Sequence, residues 1–475
     1  MLHPMYSIFF SNRKPMNCGY STERPVVSRM NLVVLEVNIG RCTRTSMFCR
    51  VHDFVQLRLS TLHSTRQSAH AHLSLNMKNV QELVEKLAHQ GVFGPGKFVG
   101  VTANSDAQLA PQFASSMFFF VIKLQAASSV EEIRVIVKIQ PLDAAARELQ
   151  NSNSQFFNEV TMFSDIMPFL EIDKLDVCPK FLYGVTTQGE DPDKDVVILE
   201  DLSFHGYVQP REQYLDSREV LKTLRKLGEF HGLSYRAKRT RKSEFAAHGG
   251  RLKAKRFAPD FDEIFNATLK RGIDAAAKRN PTATILDRTM EKIKNLGPQN
   301  CWASLSGPVE PFACIVHGDF NRNNLLFKYN AQGDVEGVKF IDFQMSVYSD
   351  PAVDISFFLY MNTSQDCRLK YWDDFLAAYW EGVTAMEPNP GFSFEEFRKN
   401  FSKKALYGYF PCSFFLPMML DVDGVDIPFE EFLSWSLEKR IQQMVTRAGE
   451  IGTAAIGDIV QHLLDKGYLD AFCSE

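Results

Sequence analysis

The stretch Cys314-Ile-Val-His-Gly-Asp-Phe-Asn-Arg-Asn-Asn-Leu-Leu-Phe-Lys-Tyr329, followed shortly by Gly337-Val-Lys-Phe-Ile-Asp-Phe-Gln344, decides how the chain is understood. An apolar run reaches His317-Gly318-Asp319, a polar loop follows, and Asn324 stands directly before a second run, Leu325 to Tyr329. The turn-forming segment Asn330-Ala-Gln-Gly-Asp334 then returns the chain along Val338 to Ile341 and into Asp342. Asn324 and Asp342 each lie nine residues from Gly333, so an antiparallel hairpin brings both to its open end, beside Asp319.

Carboxylate and amide oxygens gathered in this way suit phosphoryl transfer. Mg2+ is a hard cation that takes such oxygens while binding nucleotide phosphates. The bond-making asks the protein for positioning, charge neutralisation and a carboxylate that orients the acceptor hydroxyl and receives its proton. Asp319 is the candidate base, and Asn324 and Asp342 are the candidate metal ligands. The five-residue interval from Asp319 to Asn324 is that of H-R-D-L-x-x-x-N, which favours Asn324 over its neighbour Asn323. H-G-D alone reads as an ordinary loop; its spacing, the hairpin and Phe340-Ile-Asp-Phe343 together carry the assignment.

Such a site makes demands upstream: a strand lysine for the nucleotide phosphates, and an acid on the next helix to hold it. Val135-Ile-Val-Lys138-Ile places a lysine in an otherwise apolar strand, where an unpaired ammonium is costly. Glu159, in Phe156-Phe-Asn-Glu-Val-Thr-Met-Phe163, is its expected partner. Val196-Val-Ile-Leu-Glu200-Asp-Leu202 reads as a strand passing into a hinge whose backbone would hold adenine, with Glu200 and Leu202 as its markers.

The rest of the chain fits an α+β protein with a bilobal, protein-kinase-like fold. Val80, Leu83, Val84 and Leu87 have helical spacing, and strands are expected over residues 97–102, 116–124 and 133–139. A helix is expected over residues 156–165, then strands over residues 179–186 and 195–199. Residues 77–202 make the small antiparallel-sheet lobe and hinge, and residues 203–475 a large, mainly helical lobe with the catalytic and metal loops. The basic run Arg236 to Lys242 reads as a solvated helix end.

Residues 1–76 stand apart. Basic residues from Arg13 to Arg66 outnumber the acids Glu23, Glu36 and Asp53 in a Ser-rich stretch without sustained periodicity. This atypical extension fits a mitochondrial transit peptide or, the favoured reading, disordered or upstream sequence before a start at Met77. With 53 Lys and Arg against 57 Asp and Glu, total charge points to neither nucleic acid nor an anionic membrane. Nine scattered cysteines without zinc-site spacing fit reduced thiols in the cytoplasm. No apolar run is long enough to span a bilayer, and no obligate protein partner is implied.

From about Met77 onward the chain resembles the ecdysteroid kinase-like (CHK kinase-like) family, related to choline and aminoglycoside kinases. The resemblance rests on Val137-Lys138, Asn158-Glu159, Ile198-Leu-Glu-Asp-Leu202, Leu227-Gly-Glu-Phe-His231, the His317 to Phe327 stretch, Phe340-Ile-Asp-Phe-Gln344 and Asp350-Pro-Ala-Val-Asp354. It implies ATP- and Mg2+-dependent O-phosphorylation of a small hydroxylated acceptor, an ecdysteroid-like steroid or a hydroxylated xenobiotic. It also makes His317 and Asp354 supporting residues, with Asp354 bonding the catalytic loop; a helix N-cap is the other reading of Asp354.

Two departures stand out. Ala110-Pro-Gln-Phe-Ala-Ser-Ser116 occupies the place of a phosphate-covering glycine loop yet has no glycine, leaving Ser115 and Ser116 as the phosphate contacts. Its absence motivates an alternative, a silent pseudokinase that binds nucleotide or a hydrophobic ligand. Gln344 replaces the last glycine of D-F-G, and the interval to Asp350-Pro is too short for a protein-kinase activation segment. His231 reads as a packing histidine on a helix, and His205 as bordering the nucleotide or acceptor pocket. The acceptor should lie between Asp319 and the C-terminal helices, with the aromatic-rich Leu406 to Leu420 as an apolar wall.

Overall fold

The computed structural model describes residues 77–104, 116–141, 151–210, 212–254, 258–421 and 429–474, with isolated positions between them. The extension 1–76 and Ser115 lie outside the described residues.

Helix α1 (residues 77–89) buries Val80, Val84, Leu87 and Ala88, the face that the helical spacing assigns to a core. It packs on an antiparallel sheet of β1 (Lys97–Ala103), β2 (Ser116–Gln125), β3 (Val130–Ile139), β4 (Phe181–Val185) and β5 (Val196–Glu200), in the order β1-β2-β3-β5-β4. Phe118, Phe120, Ile122, Val135, Val137, Val196 and Ile198 alternate along their strands and fill this core. The two-residue period therefore turns Lys138 and Val197, a directly opposed pair, to the other face. There α2 (Ser152–Thr161) packs Phe156 and Val160 on Val197.

Two expectations shift here. Strand β3 begins at Val130 rather than residue 133, because the exposed Glu131 and Glu132 pair with β2 across a wet edge. The helix begins at Ser152 and passes into a π-helical turn, Met162–Ile166, before a short helical segment that includes Pro168.

After β5, the Asp201 carboxylate accepts from Ser203 N–H at 3.0 Å and caps the turn that leaves the sheet. The chain is then mainly helical. Helix α3 (Ser217–Thr240) opens with a capping box of Asp216 and Glu219. Its basic end is not merely solvated: Arg236 pairs with Glu171 at 2.7 Å, Arg239 with Glu387 at 3.0 Å, and Arg241 donates to the Phe169 carbonyl at 2.6 Å. Farther on lie α4 (Pro298–Ser306), β6 (Cys314–Val316), the hairpin of β7 (Leu325–Tyr329) and β8 (Val335–Phe340), and β9 (Val347–Ser349), which pairs with β6. They are followed by α5 (Ala352–Asn362), buried along its whole length, α6 (Gln365–Met386) and α7 (Tyr409–Leu420).

Helices α3 and α6 cross at backbone contact. A Cβ on Gly228 would lie 2.0 Å from the Tyr379 carbonyl oxygen, and one on Gly382 would lie 2.0 Å from that of Arg225. Only glycine permits this approach.

The hairpin turns at Asn330, whose side-chain oxygen accepts from Asp334 N–H at 2.9 Å. A bulge between Lys328 and Tyr329 moves the register by one, so Leu325 faces Phe340 and Ile341 N–H donates to the Asn324 carbonyl at 3.0 Å. Asn324 and Asp342 share the open end, one residue out of direct opposition.

Candidate active site

Lys138 reaches across from the sheet to the helical lobe. Its Nζ lies 2.7 Å from Glu159 Oε2, 2.9 Å from Asp342 Oδ1 and 3.3 Å from Gln344 Oε1. Burial works against the ammonium, but the Asp342 and Glu159 carboxylates outweigh it and hold the lysine above its ordinary pKa. Burial likewise pushes the Glu159 carboxyl up, opposed by Lys138, and the close contact favours the ionised pair. Asp342 sits at φ 68°, a left-handed conformation that an L-residue adopts at a cost of about 1 kcal/mol or more. The lysine on Oδ1 and the Gln344 amide, 3.2 Å from Oδ2, fix its carboxylate there.

The loop bearing Asp319 hangs from Asp354, a fully buried carboxylate that accepts from His317 N–H at 2.7 Å and Gly318 N–H at 2.8 Å. The helix-cap reading of Asp354 gives way, because Asp350 accepts from Ala352 N–H at 2.9 Å at the start of α5. Gly318 has φ 82°, and a Cβ there would lie 2.0 Å from the Met345 carbonyl oxygen, so the glycine between His317 and Asp319 is a steric requirement.

Two histidines flank Asp354, and their surroundings push their pKa values in opposite directions. His317 donates from Nε2 to the Ile341 carbonyl at 2.9 Å, leaving Nδ1 as the acceptor facing Asp319 N–H at 3.4 Å. Burial lowers its pKa, partly offset by Asp354, which favours this neutral tautomer. His231 lies 3.2 Å from Asp354 Oδ2 through Nε2 and 3.0 Å from the Tyr379 hydroxyl through Nδ1. Burial alone would lower its pKa; the neighbouring Cys314 and Asp354 outweigh that and raise it to about 9. His231 is buried as expected, yet it braces the carboxylate that holds the loop bearing Asp319, a task invisible in its helical spacing.

Asp319 is gripped by amides. Asn324 Nδ2 donates to its carbonyl at 2.8 Å and its Oδ2 at 3.0 Å, while Asn321 Nδ2 lies 3.0 Å from the carbonyl and 3.3 Å from Oδ1. Asn324 thus commits its side-chain nitrogen to Asp319, and its side-chain oxygen is the atom of that amide able to accept or to ligate.

Asp319 also opens on a cavity of about 550 Å³. Its walls include Trp302 on α4, Phe357 on α5, and Tyr407, Pro411 and Phe415, spaced four apart along the helical turn and α7. This is the apolar wall expected from Leu406 to Leu420. Among the described residues that line it, Asp319 is the single charged one.

The remaining expected residues fall around this centre. Ser116 opens β2 opposite Ile139, with Met117 opposite Lys138. Glu200 shares its face of the sheet with Ile198, away from Lys138, and its carboxylate engages His205 Nε2 at 2.9 Å and Lys180 N–H at 3.1 Å. Only the backbone at Glu200 can serve a ligand on the Lys138 face. Leu202 is buried, and its carbonyl accepts from Tyr207 N–H at 3.3 Å. His205, half-exposed beside Glu200, is not among the residues lining the cavity under Asp319.

Fold and site define a two-lobed, kinase-like protein. The chain belongs to the ecdysteroid kinase-like family, whose model matches residues 110–387. No curated protein matches it in sequence. Among solved structures it is similar to the GDP and kanamycin complex of APH(2")-IIia, at 12% identity and a TM-score of 0.37 over 78% of this chain and 97% of that one. It is also similar to the GDP complex of wild-type aminoglycoside 2'-phosphotransferase-IIIa, at 11% identity and a TM-score of 0.34 over 78% and 94% of the two chains. Among the described residues no helix is long and apolar enough to cross a membrane.

Proposed function

We propose that the protein is an ATP-dependent O-phosphotransferase acting on a hydroxyl of a small, uncharged and largely apolar molecule, an ecdysteroid-like steroid or a hydroxylated xenobiotic. The supporting observation is the position of Asp319, fixed by Asn324 and Asn321 on one side and open to the aromatic cavity on the other. An acceptor seated against Trp302, Tyr407 and Phe415 presents a hydroxyl to Asp319, which orients it and receives its proton as the oxygen–phosphorus bond forms. The bond to the leaving phosphate of ATP breaks, and ADP departs. Lys138, kept charged by its carboxylates, holds the nucleotide phosphates, and the hinge backbone from Glu200 to Leu202 holds the adenine.

The donor set fits Mg2+: Asp342 offers a carboxylate and Asn324 an amide oxygen, with phosphates and water completing the shell that this cation prefers. Among the described residues no cluster of three or more His, Cys, Asp or Glu forms an all-protein metal cage. Bound there, Mg2+ would neutralise phosphate charge. Cytoplasmic residence accords with the free cysteines at described positions.

The test is Mg2+-dependent ADP release against ecdysteroids, choline, aminoglycosides and hydroxylated xenobiotics. Signal on the neutral classes, lost in Asp319→Asn, is expected; signal that survives the substitution overturns the base assignment. Mg·ATP binding without turnover on any acceptor would favour the pseudokinase reading raised by the glycine-free Ala110 to Ser116 segment.

A further inference from the structure

Asn158 precedes the glutamate that holds Lys138, and it is buried, with 2% of its surface exposed. Its side chain makes four contacts with distant backbone. Nδ2 donates to the Lys253 carbonyl at 2.9 Å, the Gln344 carbonyl at 3.2 Å and the Ser346 carbonyl at 3.3 Å, while Oδ1 accepts from Lys253 N–H at 2.9 Å. The opposite amide orientation would set two donors face to face at Lys253 and an oxygen against three carbonyls, so the amide has one workable pose.

The partners of this amide lead to both halves of the site. Gln344 touches Lys138 and Asp342, and Glu159 holds Lys138 from the other side. Ala254, Met345 and Val347, each adjacent to a partner of Asn158, line the cavity under Asp319. A buried amide that binds one helix to two backbone segments this far away in sequence has one geometry to enforce.

We propose that Asn158 is a positioning residue that fastens α2 to the metal loop and to the Lys253–Ala254 strap, setting the Lys138–Glu159–Asp342 cluster before either substrate binds. In regulated kinases the helix bearing the glutamate is brought into place by activation-loop changes; here the interval from Asp342 to Asp350 is too short for such a loop, and the amide does that work permanently. The inference rests on the reading of Lys138 as the nucleotide lysine.

The test needs no acceptor. Mg·ADP affinity is measured by calorimetry, and the placement of Lys138 by its rate of acylation with an acyl-phosphate analogue of ATP, followed at the Lys138 peptide. Thermal unfolding reports folding. Asn158→Asp keeps the size and the acceptor for Lys253 N–H but turns an oxygen onto the Gln344 and Ser346 carbonyls; Asn158→Ala removes every contact. Both variants are expected to lose about tenfold in affinity and acylation rate, the scale of a supporting-shell defect. Either variant, folded and within about twofold of the parent in both readouts, overturns the proposal while leaving the nucleotide-site reading intact. A parent protein that neither binds Mg·ADP nor acylates at Lys138 overturns both.

Discussion

The two sides of the loop from Asp342 to Ser346 are built from opposite materials. Toward the small lobe, Lys138, Glu159, Asp342 and Gln344 crowd together, almost wholly buried and satisfied by one another. Toward the helical lobe, the same loop faces aromatic rings and, among the described lining residues, the Asp319 carboxylate alone. Under the proposed function the ligand of the first side is a nucleotide phosphate, whose shape does not vary, so its charge can be rigid. Under the same proposal the second side takes the acceptor, and ring edges and faces tolerate a change of acceptor better than fixed charges do.

Four substitutions would break or sharpen this contrast. The largest effect is expected from Asp319→Asn, which removes the proton acceptor at the boundary. Turnover should fall by about 10²- to 10⁴-fold, the usual share of a general base, with Mg·ADP affinity nearly unchanged. A parallel loss of nucleotide affinity would mean that Asp319 belongs to the charged side.

Lys138→Met should strike stability as well as activity, because it strands Glu159 and Asp342 without their cation. A loss of about 3–5 kcal/mol at pH 8 is expected. Burial already pushes the Glu159 carboxyl up and Lys138 opposes it, so without the lysine its penalty is absent below the unfolded value and grows as pH rises. The deficit should therefore shrink at pH 5, and denaturant melts at the two pH values check it; an equal deficit at both would show that the carboxylates are not the cause.

Third is the His231 and His317 pair. A folded pKa raised to about 9 gives His231 a stabilising contribution that is complete below about 6.5 and lost as pH rises through 9, on the order of 3 kcal/mol. His317, lowered, contributes above its unfolded value and loses that as pH falls. Thermal midpoints should thus decline on both sides of a maximum near pH 6.5 to 7, and His231→Asn should flatten only the alkaline limb. An unchanged alkaline limb would assign it elsewhere.

The smallest effect is expected from Phe415→Ala. Acceptor KM should rise several-fold, a loss of about 1–2 kcal/mol of apolar contact, with Mg·ADP affinity unchanged. A change in nucleotide affinity instead would show that the two sides are not separable.

Much of this contrast was readable from the chain. Lys138 announced itself as a charge in an apolar strand, and Asp319, Asn324 and Asp342 by intervals that a hairpin converts into proximity. An apolar wall was expected from the aromatic-rich Leu406 to Leu420; that Tyr407, Pro411 and Phe415 are the residues facing the cavity came from the structure. What escaped depended on long-range contact. Asn158 was visible beside Glu159, but its partners lie 95 to 188 residues away and are backbone atoms, which no residue identity advertises. The one-residue register shift at Lys328 was hidden too, because a bulge leaves both hairpin ends in plausible places. The weight placed on the hinge backbone rather than on the Glu200 side chain accords with the strand alternation, which turns that side chain away from Lys138.

The glycine crossing of α3 and α6 bears on how such a protein can change over evolutionary time. His231 and Tyr379 belong to helices whose separation is set by main-chain atoms at Gly228 and Gly382, not by side-chain volume. A substitution that swells or hollows the surrounding core has little leverage on that distance. The aromatic cavity, built on α4 and α7 instead, is free to be recarved. Descendants of one ancestor could therefore diversify what they accept while inheriting the same anchored catalytic loop.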